Sequence, residues 1–143
     1  MNRPPARTRR PCWLFDVDAT LIDGVTGSHL RPHARPLLEL LRDRGVRVLL
    51  WSSGGADYAV RRARQHAVDH LVDGAFGKRR SDPAGPWELP PELRNDPPDV
   101  LVDDVPGELP AVGAIVSVRP YLGPNPSDSG LAGLLRRLER EIP

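Results

Sequence analysis

Short apolar runs alternate along this chain with stretches of helical periodicity. Five apolar runs predict strands, at 12–18, 46–51, 70–76, 100–102 and 114–118. Helices are predicted over 34–44, 56–67 and 131–142, where leucines or arginines recur at helical spacing. Strands that alternate with helices are typical of a parallel sheet, because parallel neighbours need a long crossover connection. We therefore expect an α/β fold with a doubly wound, Rossmann-like sheet of five parallel strands and helices on both faces.

The regions outside this pattern set the domain organisation. Residues 1–11 are rich in arginine and proline and lack periodicity, so they are predicted to form a flexible basic tail. Whether the tail binds nucleic acid is left open. Residues 77–98 form a proline-rich connection for which no regular structure is predicted. With 143 residues in the whole chain, 12–143 are expected to form a single domain.

Charge and cysteine content limit the environment and the partners. The formal net charge is +1, which argues for neither nucleic acid nor membrane as an obligatory partner. Cys12 is the only cysteine, so the chain cannot form an internal disulfide. No apolar run approaches the length of a membrane span, and residues 1–11 do not resemble a signal peptide. A cytoplasmic location is expected, and the oligomeric state is left open.

Polar side chains follow three of the predicted strands. The first strand runs into Asp16 and Asp18, the second into a Ser-Ser-Gly-Gly turn at 52–55, and the fourth into Asp103 and Asp104. Functional groups of open parallel sheets collect at the carboxyl ends of the strands, near a switch in strand order. The three polar strand ends therefore predict one site.

The residue types at these ends suggest phosphate chemistry. Four converging carboxylates need a hard cation to offset their repulsion, and oxygen ligands suit Mg²⁺. Ser52, Ser53 and the backbone N–H groups of the turn precede a helix, which makes an anion cradle, and Lys78 can add a positive charge. A carboxylate in such a site can form an aspartyl-phosphate while a second acid carries the proton.

Four positions along the chain resemble the motifs of a known enzyme family. Asp16-Val-Asp18-Ala-Thr20 resembles the DxDx[TV] first motif of the haloacid dehalogenase-like (HAD) phosphohydrolases. The run 48–52 is similar to the second motif, a strand that ends in Ser or Thr, and Lys78 is a candidate for the third. The run 100–104 is similar to the fourth motif. The resemblance extends from about Trp13 to Tyr121.

The resemblance implies a role for each matching residue. Asp16 would be the nucleophile and a metal ligand, and Asp18 the general acid and base, with its backbone carbonyl on Mg²⁺. Thr20 would support the turn. Asp103 and Asp104 would complete metal binding. The phosphoryl group would be bound by Ser52 and Lys78, with Ser53 as a competitor of Ser52, and Arg79 and Arg80 as competitors of Lys78.

Members of this family usually close over small substrates with an inserted cap domain. Some thirty residues separate Asp18 from Ser52, which is too few for a cap. A small capless member is therefore expected. By family resemblance, its open site favours a phosphorylated macromolecule, such as a phosphoprotein or a nucleic-acid end. The expected function is a Mg²⁺-dependent phosphatase.

The same residues are compatible with other functions. A weakly active binding or regulatory module of the same fold, or phosphoryl transfer to an acceptor other than water, would use the same residues. Response-regulator receiver domains combine similar groups, but in a different order along the chain. The histidine pairs His29 with His33 and His66 with His70 are interpreted as solvated rather than as metal ligands. A substrate contact is expected from within one group of residues that follows the presumed flap: His29, Arg31, His33 and Arg35.

Overall fold

A computed structural model describes residues 9–141 of the chain. Five parallel strands form one sheet in the order β3-β2-β1-β4-β5. The strands are β1 (Cys12–Asp16), β2 (Arg47–Ser52), β3 (Gly74–Gly77), β4 (Val100–Asp103) and β5 (Ala114–Ser117). The α-helices are α1 (Ala34–Asp43), α2 (Ala56–Gln65) and α3 (Ala132–Arg140). The predicted five-stranded parallel α/β sheet is confirmed.

Strand β1 lies at the centre because its sequence is apolar on both faces. All five of its residues are buried, as expected of a strand covered on each side. Phe15 is in register with Leu50 of β2 on one side and with Val102 of β4 on the other. The chain leaves β1 first toward β2 and β3, and later returns to build β4 and β5. The carboxyl edge between β1 and β4 is therefore the switch point at which ligands bind in such sheets.

The two faces of the sheet are covered differently. Residues of α1, α2 and α3 pack in one core cluster with Phe15 and Leu50. On the other face, Leu14, Trp51 and Leu101 are covered mainly by the irregular segments 78–99 and 104–113, which contain 3₁₀-helices at Pro91–Leu93 and Pro106–Glu108. In the described chain, the three α-helices thus cover one face of the sheet, and only short 3₁₀-helices lie on the other. The proline-rich sequence of 77–98 explains this difference, since proline interrupts the α-helical hydrogen-bond ladder.

All five strands differ from the predicted bounds by at least one residue, and the differences at β1 and β3 affect the site. The first strand ends at Asp16, so Val17 and Asp18 already belong to the following turn. The predicted third strand at 70–76 is divided: Asp69–Leu71 forms a 3₁₀-helix, and β3 begins only at Gly74. The strand also continues to Gly77, so its last residue lies immediately before Lys78.

The predicted basic tail falls mostly on residues 1–8, which lie outside the described residues. Within the described part, the Arg9 guanidinium donates hydrogen bonds to the carboxylates of Asp96 and Asp99. Asp99 also accepts a hydrogen bond from the backbone N–H of Cys12. Among the helices of residues 9–141, none combines the length and the apolar composition needed to cross a bilayer.

One buried cation joins the turn after β1 to the C-terminal part of the chain. The Arg31 side chain is fully buried and pairs with Asp128 at 2.7 Å. It also donates to the carbonyl oxygens of Ala19 at 3.3 Å and Arg119 at 2.6 Å, and it lies over the ring of Tyr121. The interpretation of Arg31 as a substrate contact is therefore wrong, because every side of its guanidinium is occupied. Arg31 instead holds the turn in place.

Replacing Arg31 by Met is predicted to lower the free energy of unfolding by about 3 kcal/mol, because Asp128 and three carbonyl groups lose their buried donor. Urea denaturation followed by circular dichroism measures the change. Arg42→Met is the matched control, since Arg42 is half exposed and lies 3.8 Å from Asp73, and it should cost about 0.5 kcal/mol or less. Equal losses in the two variants would contradict this role of Arg31.

Candidate metal and phosphate site

Three carboxylates meet at the carboxyl edge of the sheet. Asp16 ends β1, Asp103 ends the neighbouring strand β4, and Asp104 follows directly. Each offers one oxygen to a group in which all three oxygens lie within 4.8 Å of one another. Asp16 and Asp103 are buried and Asp104 is half-buried. An all-oxygen, anionic donor set of this kind fits a hard divalent cation such as Mg²⁺.

Lys78 reaches this group from the end of β3. Its Nζ lies 2.8 Å from Oδ1 of Asp16 and 2.9 Å from Oδ2 of Asp103. The side chain is only 7% exposed and passes between the rings of Trp51 and Trp87, at 5.4 and 5.7 Å from the ring centroids. The two tryptophans thus line the route by which the single lysine of the chain reaches the carboxylates.

The neighbouring arginines do not share this position. Arg79 is exposed, and its backbone carbonyl accepts a hydrogen bond from Glu88. The Arg80 guanidinium lies over the ring of Trp87, with its Cζ 4.2 Å from the ring centroid, and its Nη1 is 3.7 Å from Oε2 of Glu108. Of the three basic candidates, the structure brings only Lys78 to the carboxylates.

Burial and mutual repulsion control the protonation of these groups. Burial raises the pKa of Asp16 above the ordinary aspartate value, Asp103 adds to the increase, and Lys78 only partly offsets it. Burial likewise raises the pKa of Asp103 against the opposing charge of Lys78. Burial alone would lower the pKa of Lys78, but the two carboxylates outweigh it and raise that pKa, so the ammonium stays charged. A second positive charge would favour ionisation of the carboxylates further.

The turn after β1 is closed by local hydrogen bonds. Thr20 is fully buried, and its hydroxyl lies 2.9 Å from Oδ2 of Asp16 and 3.3 Å from Oδ1 of Asp104. The backbone N–H groups of Leu21 and Ile22 donate to the carbonyl of Val17. Ala19 adopts a positive φ of 64°, a conformation that side-chain-bearing residues rarely adopt. The tight turn brings the Thr20 hydroxyl back to the carboxylates of Asp16 and Asp104.

Asp18 lies in the turn, two residues after Asp16 at the end of β1. Its side chain is half-buried and accepts a hydrogen bond of 2.6 Å from the hydroxyl of Tyr58. Burial and this hydrogen bond raise the pKa of Tyr58, so the phenol keeps its proton. The three-aspartate group therefore does not include the Asp18 side chain. A metal contact through the Asp18 backbone carbonyl stays a prediction.

The Ser-Gly turn after β2 leads into the N-terminus of helix α2, and its binding of an anion stays a prediction. Ser52 is buried, and its Oγ accepts a hydrogen bond of 3.0 Å from the backbone N–H of Gly54. Because Oγ acts as acceptor there, its own proton remains available to an anion. Ser53 is exposed. Gly55 has a φ of 102°, which favours glycine, and helix α2 starts at Ala56 with its positive dipole end toward the site.

Two of the histidines have hydrogen-bond partners in the loop at 23–29. The ring Nδ1 of His29 lies 3.1 Å from Asp23, and Nε2 of His66 lies 2.8 Å from the carbonyl oxygen of Gly27. Neither belongs to the three-aspartate group. Arg35, also considered as a substrate contact, donates instead to the backbone carbonyls of His66 and Ala67.

Two residues of the site were not anticipated from the sequence. Tyr58 lies in the arginine-rich helix α2, and nothing in the sequence pattern separates it from its neighbours. Asp23 is buried and accepts hydrogen bonds from the backbone N–H groups of Thr26, Gly27 and His29. The Asp-Gly-Val-Thr-Gly sequence at 23–27 is a turn signal that could have identified Asp23. Asp23 shapes the loop at 23–29, which we call the flap.

A cavity of about 440 Å³ lies beside the edge strand β3. It is lined by residues of β3, the start of α2 and the segment 79–94, among them Phe76, Gly77 and Ala56. None of the site's aspartates and neither Ser52 nor Lys78 lines it. The carboxylates at the strand ends therefore lie outside this cavity.

Comparisons with known proteins establish the fold and go no further. No protein-family model and no curated protein sequence matches the chain. The crystal structure of an uncharacterized protein from Listeria monocytogenes serotype 4b is similar, with a TM-score of 0.54 and 13% sequence identity. The similarity covers 91% of this chain and 99% of that chain. At such low identity, the likeness supports the α/β architecture alone.

The flap should make stability depend on pH through Asp23. Burial alone would raise the pKa of Asp23, but hydrogen bonds from Thr26 and His29 outweigh it and hold that pKa well below its ordinary value of 3.8. The ionised carboxylate therefore stabilises the fold fully above the ordinary value, and the contribution is lost as the pH falls toward the folded-state pKa.

We expect Asp23→Asn to lower the free energy of unfolding by about 2 kcal/mol at pH 7. The difference in the free energy of unfolding between wild type and variant should persist down to about pH 5. This gap should narrow below the ordinary carboxyl pKa. Urea denaturation at several pH values measures it, with Asp43→Asn, an exposed aspartate, as the control. A gap that widens on acidification would contradict the assignment.

Proposed function

We propose that this protein is a Mg²⁺-dependent phosphomonoester hydrolase of the haloacid dehalogenase-like superfamily. Asp16 is the nucleophile and Asp18 the general acid and base. One observation carries the proposal: both oxygens of Asp16 are held, one by Lys78 and one by Thr20, at the switch point beside Asp103 and Asp104. Burying a carboxylate next to other carboxylates destabilises the fold, and such groups with a perturbed pKa cluster at functional sites.

The residues that would hold the cation are those of the three-aspartate group. Asp16, Asp103 and Asp104 offer carboxylate oxygens, and the family resemblance adds the backbone carbonyl of Asp18. When bound, Mg²⁺ neutralises charge on the phosphoryl oxygens and on the attacking carboxylate. Lys78 contributes a fixed positive charge at the same place, so an anionic ester can approach the Asp16 carboxylate.

The phosphoryl group would bind between Lys78 and the Ser-Gly turn. Ser52 keeps a hydroxyl proton to donate, and the N-terminus of α2 presents backbone N–H groups that favour an anion. Ser53 is exposed on the same turn and can supply a second hydroxyl. Ser52 is the stronger candidate because it follows β2 directly, one residue beyond the partner of Asp16 in the sheet.

The reaction divides into two balanced steps. In the first, an oxygen of Asp16 forms a bond to phosphorus, the bond to the ester oxygen breaks, and Asp18 gives its proton to the departing oxygen. In the second, water attacks phosphorus and gives a proton to Asp18, the bond between phosphorus and the Asp16 oxygen breaks, and inorganic phosphate leaves. Asp18 suits the double role because it follows Asp16 by two residues and its side chain stays outside the three-aspartate group.

The substrate side of the site supports a large phosphate ester. Residues 17–33, which include the flap, connect β1 to α1, and residues 9–141 form a single sheet with no second domain over the strand ends. We therefore propose a phosphoprotein or a nucleic-acid end as the substrate class. Phosphorylated peptides and oligonucleotides, compared with small phosphate esters, are the probes that separate these cases.

Replacing Asp16 by Asn should abolish hydrolysis of p-nitrophenyl phosphate in the presence of Mg²⁺, with a fall in kcat of at least about 1000-fold. The reason is that an amide oxygen is a poor nucleophile and a neutral metal ligand. The rate of p-nitrophenol release measures the effect. Asp43→Asn is the matched control, because Asp43 is exposed and ends α1 at the opposite edge of the sheet.

Three outcomes would contradict this function. Full activity in Asp16→Asn would show that another group attacks phosphorus. A wild type that is inert with every divalent cation and ester tried would favour a binding or regulatory module built on the same fold. Phosphate ester consumption that exceeds release of inorganic phosphate would favour transfer to an acceptor other than water.

A further inference from the structure

We propose that Tyr58 is a positioning residue that assigns different tasks to the two oxygens of the Asp18 carboxyl group. Its hydroxyl holds one oxygen, and the other carries the proton to and from the substrate. This inference rests on the proposed function, since it concerns the acid and base of that reaction.

The direction of the hydrogen bonds is fixed by their chemistry. The Tyr58 hydroxyl lies 2.6 Å from Oδ1 of Asp18. Nε of Arg62 donates to the same hydroxyl at 3.2 Å, and a guanidinium has no acceptor to offer in return. The phenol proton must therefore point to Asp18, which makes Oδ1 an acceptor.

This arrangement separates the two carboxyl oxygens. A carboxyl group whose Oδ1 accepts from Tyr58 carries its own proton on Oδ2. Oδ2 is then the atom that donates to the leaving oxygen in the first step and accepts from water in the second. Tyr58 exchanges no proton with the substrate, and acts by holding Asp18 in the rotamer that presents Oδ2.

The surroundings of Tyr58 make it a rigid support. Its ring packs against Gly54 so closely that a Cβ at that glycine would lie 2.8 Å from Cδ2 of the ring. Arg62 lies over the ring face at 5.2 Å and fills the space beside Gly27 of the flap. Helix α2 therefore connects the phosphate cradle, the proton carrier and the flap through one aromatic side chain.

The test uses the leaving group, because only a poor leaving group needs the proton. A series of aryl phosphates from dinitrophenyl to unsubstituted phenyl is hydrolysed by wild type and by Tyr58→Phe, which keeps the ring and its packing. We expect kcat/KM for phenyl phosphate to fall about 10-fold or more, and that for dinitrophenyl phosphate to change less than about 2-fold. kcat/KM reports steps through phosphoryl transfer, so slower dephosphorylation does not blur the comparison.

A double-mutant cycle separates positioning from a structural role. In Asp18→Asn no proton is left to direct, so adding Tyr58→Phe should cause no further loss with phenyl phosphate. Tyr121→Phe is the matched control: Tyr121 is the other tyrosine of the chain, its hydroxyl accepts from Asn125, and its loss should leave the leaving-group dependence unchanged. Thermal denaturation shows whether each variant is folded at the assay temperature.

The outcomes are distinguishable. An active wild type whose leaving-group dependence is the same in Tyr58→Phe contradicts the role of Tyr58 and leaves the proposed function intact. Equal losses across the series, or losses that persist in the Asp18→Asn background, assign Tyr58 to structure and also overturn the inference. A wild type that hydrolyses none of the esters contradicts the proposed function, and the inference falls with it.

Discussion

Electrostatic repulsion among buried carboxylates at the centre of the sheet is the constraint on which the site depends. Asp16 and Asp103 end adjacent strands, so the strand order itself forces their charges together. Lys78 offsets part of this repulsion by contacting both, and burial raises the pKa of each carboxyl above its ordinary value. The described residues thus form a site that a divalent cation and a phosphate ester would complete.

The chain around these charges acts to keep them in place. Thr20 holds the second oxygen of Asp16, and Arg31 holds the carbonyls of the same turn from behind. Asp23 orders the flap that follows, while Tyr58 fixes Asp18 from helix α2. Each contact is polar, and together they limit the movement of Asp16 and Asp18 relative to the Ser-Gly turn after β2. Preorganisation of this kind is what stabilises charge that develops in a transition state.

Sequence patterns predicted the sheet and the positions where its strands end, because buried parallel strands leave a clear apolar signal. Asp16 and Ser52 follow from that signal, since each lies at the end of a strand. Lys78 is a candidate as the only lysine of the chain and as the match to the third family motif. The choice of Lys78 over its arginine neighbours required the fold, which directs Lys78 past Trp51. Arg31 could not be assigned from sequence, because a buried arginine and a surface arginine look alike until their partners in distant segments are known.

The most direct test of this account is to trap the phosphorylated protein. Asp18→Asn lacks the base for the second step, so a good leaving group such as dinitrophenyl phosphate should load the protein in the presence of Mg²⁺ and leave it phosphorylated. After acid quenching and proteolysis, mass spectrometry should find one phosphoryl group on the peptide that contains Asp16, and none without Mg²⁺. A phosphoryl group on Ser52 or Asp103, or turnover with no phosphorylated protein, would contradict the central claim.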